Sequence, residues 1–156
     1  MSELSEPNAK VLFRVPNEEG GSDVETLWAY DLGSDKYKLD NLPYYAYGVS
    51  CDDVVLAPFN VDEEFPTFEK VVSKSGNRTV RIIFDIPFES GNESDGLLSG
   101  LTEMGCDFEG ANTKYIVVNV PPSVDLDVVA ERLNYAKVSW EYADPTYEEL
   151  FPEENL

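Results

Sequence analysis

Two hydrophobic periodicities divide the chain. From residue 10 to about residue 76, short apolar and β-branched runs alternate with Gly, Pro, Asn and Asp, which is the pattern of β-strands joined by turns. The predicted strands cover residues 11–15, 26–32, 37–39, 44–49, 54–57 and 68–73. Short strands in this number, with little helix between them, predict a small β-barrel or a strongly bent sheet.

The pattern changes at about residue 79. An apolar strand over residues 79–86 precedes a helix with Ser94 as its N-cap and with Gly105 at its end, where a positive φ is favoured. Strands over 106–109 and 114–120, a second helix and a strand over 138–142 follow. The predicted apolar faces of the two helices are Leu97, Leu98, Leu101 and Met104, and Leu126, Val129, Ala130 and Leu133.

The order of the second half, β-α-β-β-α-β, is that of the ferredoxin-like fold, in which two helices cover one face of a four-stranded antiparallel sheet. An arbitrary α+β arrangement of the same elements stays open. We therefore predict an α+β fold, with a small β-barrel-like sheet followed by a ferredoxin-like unit. The predicted segments are a disordered N-terminus (1–10), a β-rich subdomain (11–78), a ferredoxin-like subdomain (79–143) and an acidic C-terminal tail (144–156).

The charge of the chain is the strongest indication of its partners. It has 31 acidic and 11 basic side chains, no histidine and a formal net charge of −20, but its 42% of hydrophobic residues indicates a folded core. Such a field repels nucleic acid and anionic membranes and attracts cationic partners. No apolar run approaches the ~20 residues of a spanning helix and no signal peptide is visible, so we expect a soluble, cytoplasmic protein.

The acidic residues are densest in the second half. Residues 79–156 carry 16 acids and 4 bases, whereas residues 1–78 carry 15 acids and 7 bases. Two stretches, 85–113 and 139–156, contain no Lys or Arg. Each phosphate contact needs a cation, so RNA binding is electrostatically opposed and capture of a basic protein is favoured. Ordinary solubility is the competing explanation of the same charge.

The residues needed for common catalytic and metal sites are missing from the sequence. The absence of histidine removes the most common general base and transition-metal ligand. Adjacent acids such as Asp52 and Asp53 point to opposite faces of a strand, which does not predict a catalytic pair. Cys51 and Cys106 have no Cys-x-x-Cys partner, so free buried thiols are expected, with one disulfide as the alternative. We expect no enzyme activity, no metal and no cofactor.

Short motifs carry a resemblance to a known family. They are ETLWA at 25–29, YxLxNLPYY at 37–45, GVSxxDVV at 48–55 and VVxxSGxRTxR at 71–81. Over roughly residues 11–140 the chain resembles a bacterial family known as domain of unknown function 4265, a resemblance that implies no activity. Asp52 stands where the family's turn often has glycine, but Asp tolerates the left-handed region. Arg78 and Arg81 can bind an anion, although pairing with neighbouring carboxylates is favoured in so acidic a chain.

Other motif residues also have a structural and a functional interpretation. Trp28, Tyr44 and Tyr45 can line a ligand groove, but aromatic residues on short strands are usually core. The segment Asn41-Leu42-Pro43 can be a recognition loop, but an Asn before a bend with Pro is usually turn chemistry. For these residues the structural interpretation is favoured.

We predict a protein that acts by binding, most specifically an immunity protein that neutralises a cationic, nuclease-type toxin delivered between competing bacteria. Carboxylates would occupy the positions that the toxin keeps for phosphates, and electrostatic steering would make capture fast. The residues expected to bind the toxin are Asp62, Glu63 and Glu64, and Tyr142, Asp144, Tyr147, Glu148, Glu149 and Phe151. The alternative is a regulatory or small-molecule-binding module whose acidity serves solubility only, and an enzyme is third.

Overall fold

The computed structural model describes residues 6–155, without the side chains of 154 and 155. The chain divides into two compact units, Met1–Ser75 and Gly76–Leu156. Half of the N-terminal segment predicted to be disordered, residues 1–5, lies outside the described residues, and the first strand begins within the other half at Ala9. The fold combines antiparallel sheets with few helices, which confirms the predicted α+β class.

The first unit contains seven strands and no helix among its described residues. They are β1 (Ala9–Pro16), β2 (Ser22–Gly33), β3 (Lys36–Leu39), β4 (Val54–Leu56), β5 (Phe59–Asn60), β6 (Phe65–Pro66) and β7 (Lys70–Ser73). Five of them form an antiparallel sheet in the order β1-β2-β3-β4-β7, and β5 pairs with β6. Phe13 on β1 stacks on Phe68 at 4.7 Å between ring centroids, within a core that also holds Val11, Leu27 and Leu39.

The sheet of the first unit is bent but not closed into a barrel. Its edge strands β1 and β7 are not neighbours in the strand order. Leu12 on β1 instead forms an isolated parallel bridge with Thr67, and the Phe68 N–H donates to the Leu12 carbonyl at 2.9 Å. Through these contacts, the segment before β7 lies against β1, the strand at the opposite edge of the sheet. Of the two predicted forms, the closed barrel is therefore wrong and the bent sheet is found.

The strand predicted over residues 44–49 is also wrong, because this segment consists of bends without a ladder. Its backbone N–H groups at Tyr44, Tyr45 and Ala46 donate to the carboxylate of Glu25 instead of to a neighbouring strand. Gly48 then adopts a φ of 81°, which an extended strand does not allow. A buried carboxylate thus replaces the sheet as the acceptor for this part of the chain.

The second unit alternates strands and helices. Its elements are β8 (Arg78–Ile83), α1 (Glu93–Met104), β9 (Asp107–Gly110), β10 (Tyr115–Val120), α2 (Leu126–Ala136), β11 (Ser139–Asp144) and α3 (Tyr147–Leu150), followed by a 3₁₀ helix (Pro152–Asn155). The strands form an antiparallel sheet in the order β11-β8-β10-β9. Alternate residues of β8 and β10, such as Val80, Ile82 and Val118, share one core with the two long helices.

The predicted helix faces are confirmed. Leu126, Val129, Ala130 and Leu133 are buried on α2, and Leu97, Leu98 and Leu101 are buried on α1, with Met104 partly buried against them. Gly105 ends α1 with a φ of 115°, as expected. The predicted N-cap is wrong by two residues, because the Asn92 side chain accepts from the Asp95 N–H. Ser94 is buried in the first turn, where its hydroxyl donates to the Ile86 carbonyl at 2.7 Å.

Both cysteines are free thiols, as expected. Cys51 is half-buried, whereas Cys106 lies in the core of the second unit. Burial, and to a smaller degree the charge of Asp107, raises the pKa of the Cys106 thiol above its ordinary value. Within residues 6–155, no helix has the length and apolar character required to span a membrane.

Candidate functional site

Four aromatic side chains form a continuous cluster at the C-terminal end of the second unit. Trp140 and Tyr142 lie on β11 with their ring centroids 4.7 Å apart, and Tyr147 and Phe151 lie 4.8 Å apart at α3. Tyr142 joins the two pairs, at 6.3 Å from Tyr147 and 6.1 Å from Phe151. We call these four residues the aromatic platform. Three of them, Tyr142, Tyr147 and Phe151, are anchors predicted from the sequence.

A capping box fixes the outer half of the platform. The Thr146 hydroxyl accepts from the Glu149 N–H at 3.3 Å, and the Glu149 carboxylate accepts from the Thr146 N–H at 2.9 Å. This reciprocal pair starts α3 at Tyr147. Because residues four apart lie on the same side of a helical turn, Tyr147 and Phe151 meet next to Tyr142.

The platform is accessible, and its surroundings are acidic. Tyr147 is 42% exposed and Phe151 37% exposed, and the neighbouring Glu148 and Glu153 are exposed as well. Residues 139–156 contain no Lys or Arg that would offset these acids. Burial, followed by the charge of Asp127, raises the pKa of the Tyr142 phenol above its ordinary value. The phenol therefore stays protonated at neutral pH and keeps a hydrogen-bond donor in this acidic region.

Two of the three acids predicted in this segment, Asp144 and Glu149, are not available to a partner in the way that was expected. Asp144 is 5% exposed, so its carboxylate is removed from the surface that a partner would meet. Glu149 uses its carboxylate in the capping box. Glu148 alone of the three predicted acids combines exposure with a side chain that forms no hydrogen bond or ion pair with other described residues. Asp144 is therefore removed from the candidate set, and the exposed Glu153 enters it.

The other predicted acidic group lies in the first unit, in the turn between β5 and β6. Asp62 and Glu64 are exposed, and Glu64 has a φ of 64°. Glu63 forms an ion pair with Arg14 on β1, so part of its charge is already compensated. This turn belongs to the first unit, whereas the aromatic platform belongs to the second.

A second exposed aromatic group lies in the first unit, at positions where core residues were expected. Tyr45 is 53% exposed, Tyr47 49% and Trp28 43%, so the expectation of core positions for Trp28 and Tyr45 is wrong. The Lys10 ammonium lies 4.6 Å from the Trp28 ring centroid, in a cation–π contact. We call residues 41–50, which present Tyr44, Tyr45 and Tyr47, the tyrosine loop.

Buried carboxylates hold the tyrosine loop. The Glu25 carboxylate, 9% exposed, accepts from Tyr44 N–H at 2.6 Å, from Tyr45 N–H at 3.1 Å and from Ala46 N–H at 2.9 Å. The Asn41 side chain accepts from the Trp28 N–H at 2.7 Å, so its hydrogen bond reaches back to β2 and is not the local turn bond that was expected. The hydrogen bonds from three successive backbone N–H groups to one carboxylate fix the position of this part of the loop.

Asp53 organises the end of the tyrosine loop. It is fully buried and accepts from the Ser50 N–H and the Ser75 N–H, each at 2.8 Å, and from the Lys74 ammonium at 2.7 Å. Asp52 next to it is exposed with a φ of 71°, so the left-handed turn expected there is confirmed. In the sequence, Asp53 is the second of two adjacent acids directly before an apolar strand, a pattern that resembles an ordinary turn.

The two arginines near the start of the second unit have different partners. Arg81 pairs with Glu141 at 3.4 Å, as expected. The Arg78 guanidinium instead donates to backbone carbonyls, those of Val120 at 3.3 Å, Pro121 at 2.7 Å and Val124. The expected pairing of Arg78 with a carboxylate is therefore not found, because the carbonyls of the turn before α2 satisfy its donors. Residues 6–155 contain no group of three or more Cys, Asp or Glu side chains arranged to hold a metal ion.

Comparisons with known proteins agree with this fold and assign no activity. Residues 25–142 match the family model described as domain of unknown function DUF4265. A crystal structure described as that of a hypothetical protein from Neisseria gonorrhoeae is similar with a TM-score of 0.73 and 19% sequence identity, over 94% of this chain and 99% of that chain. At this identity the likeness concerns the fold. The comparison with curated proteins gives no match.

Proposed function

This chain belongs to the family described as domain of unknown function DUF4265, and since that description assigns no activity, we propose a function from the chain's own surface chemistry. The protein is a non-enzymatic, acidic binding protein of the cytoplasm. Most specifically, it is an immunity protein that captures and neutralises a cationic, nuclease-type bacterial toxin. The observation that carries this proposal is the exposed aromatic platform within a base-free acidic segment.

Aromatic anchors and acids have different roles in such a complex. Tyr and Trp are enriched among the few interface residues that dominate binding energy, and Tyr147, Phe151 and Trp140 supply that chemistry. Exposed acids such as Glu148 add long-range attraction, which accelerates association with a basic partner and weakens with salt. A nuclease keeps cations where it binds phosphate, so the same acids oppose nucleic acid and favour the nuclease.

We also propose a ferredoxin-like arrangement for the second unit and a barrel-like curvature for the sheet of the first unit. The element order of the second unit and its strand order β11-β8-β10-β9 support a ferredoxin-like arrangement. The bridge between Leu12 and Thr67 supports a barrel-like curvature of the first sheet. In this arrangement β11 is an edge strand, which leaves the platform at its end accessible to a partner.

Co-expression with the basic protein encoded in the same gene neighbourhood tests the proposal. We expect the wild-type chain to restore growth of cells that produce this protein, and a variant with Tyr147→Ala and Phe151→Ala to lose protection. Tyr135→Ala is the matched control, because Tyr135 is an aromatic residue of the same unit that is 87% exposed and lies on α2 outside the platform. Loss of protection in the control alone, or full protection by the platform variant, would remove the support for this site.

A further inference from the structure

A groove in the second unit is separate from the aromatic platform. It has a volume of about 420 Å³ and lies where the end of β8, the first turns of α1 and the C-terminal end of α2 come together. Its apolar lining includes Phe84, which is 2% exposed, Leu97, which is 8% exposed, and Val138. Cavities of roughly 300–1,000 Å³ with an apolar lining and few polar groups are typical of small-molecule sites.

Four charged side chains line the same groove. Asp85 follows β8 and Glu93 lies in the first turn of α1, whereas Arg132 lies in the C-terminal half of α2 and Lys137 is the C-cap of that helix. None of these four side chains makes a hydrogen bond or ion pair with another residue of the described range 6–155. Their formal charges cancel, although the chain as a whole carries −20. The acids of the groove thus come from the end of β8 and the start of α1, and its bases come from α2 and the C-cap of α2.

Two glycines within α1 shape this groove. A glycine in a helix interior is less favourable than alanine, so its presence calls for a local reason. A Cβ at Gly100 would lie 2.3 Å from the Arg132 Nη1. Because glycine has no Cβ, the Arg132 guanidinium can pack directly against α1 at this position. A Cβ at Gly96, which lines the groove, would meet nothing within 4 Å, so this glycine leaves the groove open. The sequence of α1 therefore positions Arg132 and preserves the space in front of it.

We propose that this groove binds a small zwitterion with an apolar body, namely an apolar α-amino acid. Arg132 and Lys137 bind its carboxylate, and Asp85 and Glu93 bind its ammonium group. Phe84 and Leu97 contact its side chain. The groove presents exposed charges of both signs, so a zwitterion is complementary to both pairs, whereas a simple anion or cation is complementary to one pair. This site does not depend on the immunity function, because its residues are separate from the platform.

Titration of the full chain with L-leucine and L-phenylalanine tests the site. In two-dimensional NMR, we expect saturable chemical-shift changes of the backbone amides of groove residues such as Gly96, Leu97 and Val138. Ligand concentrations up to about 10 mM are sufficient to measure a Kd of about 1 mM. The analogues 4-methylpentanoate and 3-methylbutylamine each lack one charge and are expected to bind at least about tenfold more weakly, which is about 1.4 kcal/mol. Absence of shifts with both amino acids, or equal binding of either analogue, would overturn the proposal.

Two variants locate the binding to this groove. A Cβ at Gly96 meets nothing within 4 Å and leucine favours the helix over glycine, so we expect Gly96→Leu to abolish binding while the melting temperature does not fall. Arg132→Gln removes one carboxylate ligand and is expected to weaken binding at least about tenfold. Lys114→Gln, which removes an exposed base outside the groove, is the matched control and should bind as the wild type does. Wild-type affinity in both groove variants contradicts the proposal.

The platform variant Tyr147→Ala with Phe151→Ala keeps the two proposals distinguishable. We expect it to bind the amino acid with unchanged affinity, because neither side chain lines the groove. A parallel loss of amino-acid binding in a platform variant that remains folded would show that the groove is not an independent site, and would also overturn the inference.

Discussion

The buried acids of the tyrosine loop in the first unit and the exposed acids beside the aromatic platform in the second unit have different roles. In the first unit, Glu25 and Asp53 are buried and accept hydrogen bonds from backbone N–H groups that fix the tyrosine loop. In the second unit, Glu148 and Glu153 are exposed beside the aromatic platform. The acids that give the net charge of −20 therefore fall into two groups. Some are buried and bind the backbone of their own chain, and others are exposed and available to a partner.

Removal of a buried acid and removal of an exposed acid differ in their energetic cost. A buried carboxylate that loses its role leaves several donors without an acceptor, and each buried donor without a partner costs about 1–3 kcal/mol. An exposed carboxylate that is neutralised changes stability by no more than about 0.5 kcal/mol. Substitutions of the buried acids Glu25 and Asp53 should thus affect folding, and substitutions of the exposed acids Glu148 and Glu153 should affect binding.

The largest effect is expected at Asp53. Asp53→Ala removes the acceptor of two backbone N–H groups and the partner of the Lys74 ammonium, so we expect the free energy of unfolding to fall by about 3–5 kcal/mol. Urea denaturation measures this change. Asp52→Asn is the matched control. The Asp52 side chain is exposed, and Asn tolerates the left-handed backbone conformation of this residue as Asp does.

If Asp53→Ala and Asp52→Asn lower stability equally, the distinction between internal and surface acids fails at its clearest position. If Asp53→Ala lowers stability by less than about 1 kcal/mol, water has replaced the lost acceptor and Asp53 is not essential to the loop.

A smaller effect is expected at Glu25. Glu25→Gln keeps the size of the side chain but replaces one acceptor oxygen with an NH₂ group, which faces backbone donors, so we expect a loss of about 2 kcal/mol. The released tyrosine loop should also be cut faster by chymotrypsin after Tyr45 and Tyr47. Glu69→Gln, at an exposed position of the same unit, should leave both stability and cleavage unchanged. Unchanged cleavage in Glu25→Gln would show that other contacts hold the loop.

The smallest folding effect is expected at the cap of the platform. Thr146→Ala removes the hydroxyl that accepts from the Glu149 N–H, which should destabilise α3 by about 1 kcal/mol. Amide hydrogen exchange of Leu150 and Phe151 should accelerate, with little change in the global melting temperature. Thr146→Ser retains the hydroxyl and should exchange as the wild type does. Equal protection in Thr146→Ala would mean that aromatic contacts alone hold α3.

The helices of the second unit were predictable because their apolar faces repeat within a few residues. Leu126, Val129, Ala130 and Leu133 are all buried, as their spacing requires. The N-cap of α1 was misplaced because Asn92 and Ser94 are both good capping residues, and tertiary contact decides between them. The Ser94 hydroxyl is taken by the Ile86 carbonyl, which leaves Asn92 as the cap.

The tyrosine loop could not be predicted from local pattern. Its aromatic residues alternate as on a strand, but the acceptor of their N–H groups is Glu25, about twenty residues earlier in the chain. When a carboxylate, and not a neighbouring strand, accepts the backbone hydrogen bonds of a segment, the hydrophobic pattern of the sequence does not show it. The fixed loop leaves Tyr45 and Tyr47 exposed, so the prediction of a core role for such aromatics fails for the same reason.

The aromatic platform was partly predictable. Tyr147 and Phe151 are four residues apart after a Thr-x-x-Glu capping signal, so their contact follows from local sequence. Which acids remain at the surface was not predictable. Asp144 is buried and Glu149 serves the cap, and both depend on how the chain turns after β11.

Calorimetry of a paired variant tests the central claim most directly. Glu148→Gln with Glu153→Gln neutralises two exposed acids beside the platform, and its binding to the basic protein of the same gene neighbourhood is compared with wild type at low and high salt. We expect stability within about 0.5 kcal/mol of wild type and affinity about tenfold weaker at low salt, with the difference shrinking as salt screens the charges. Wild-type affinity at low salt in this variant would contradict the account.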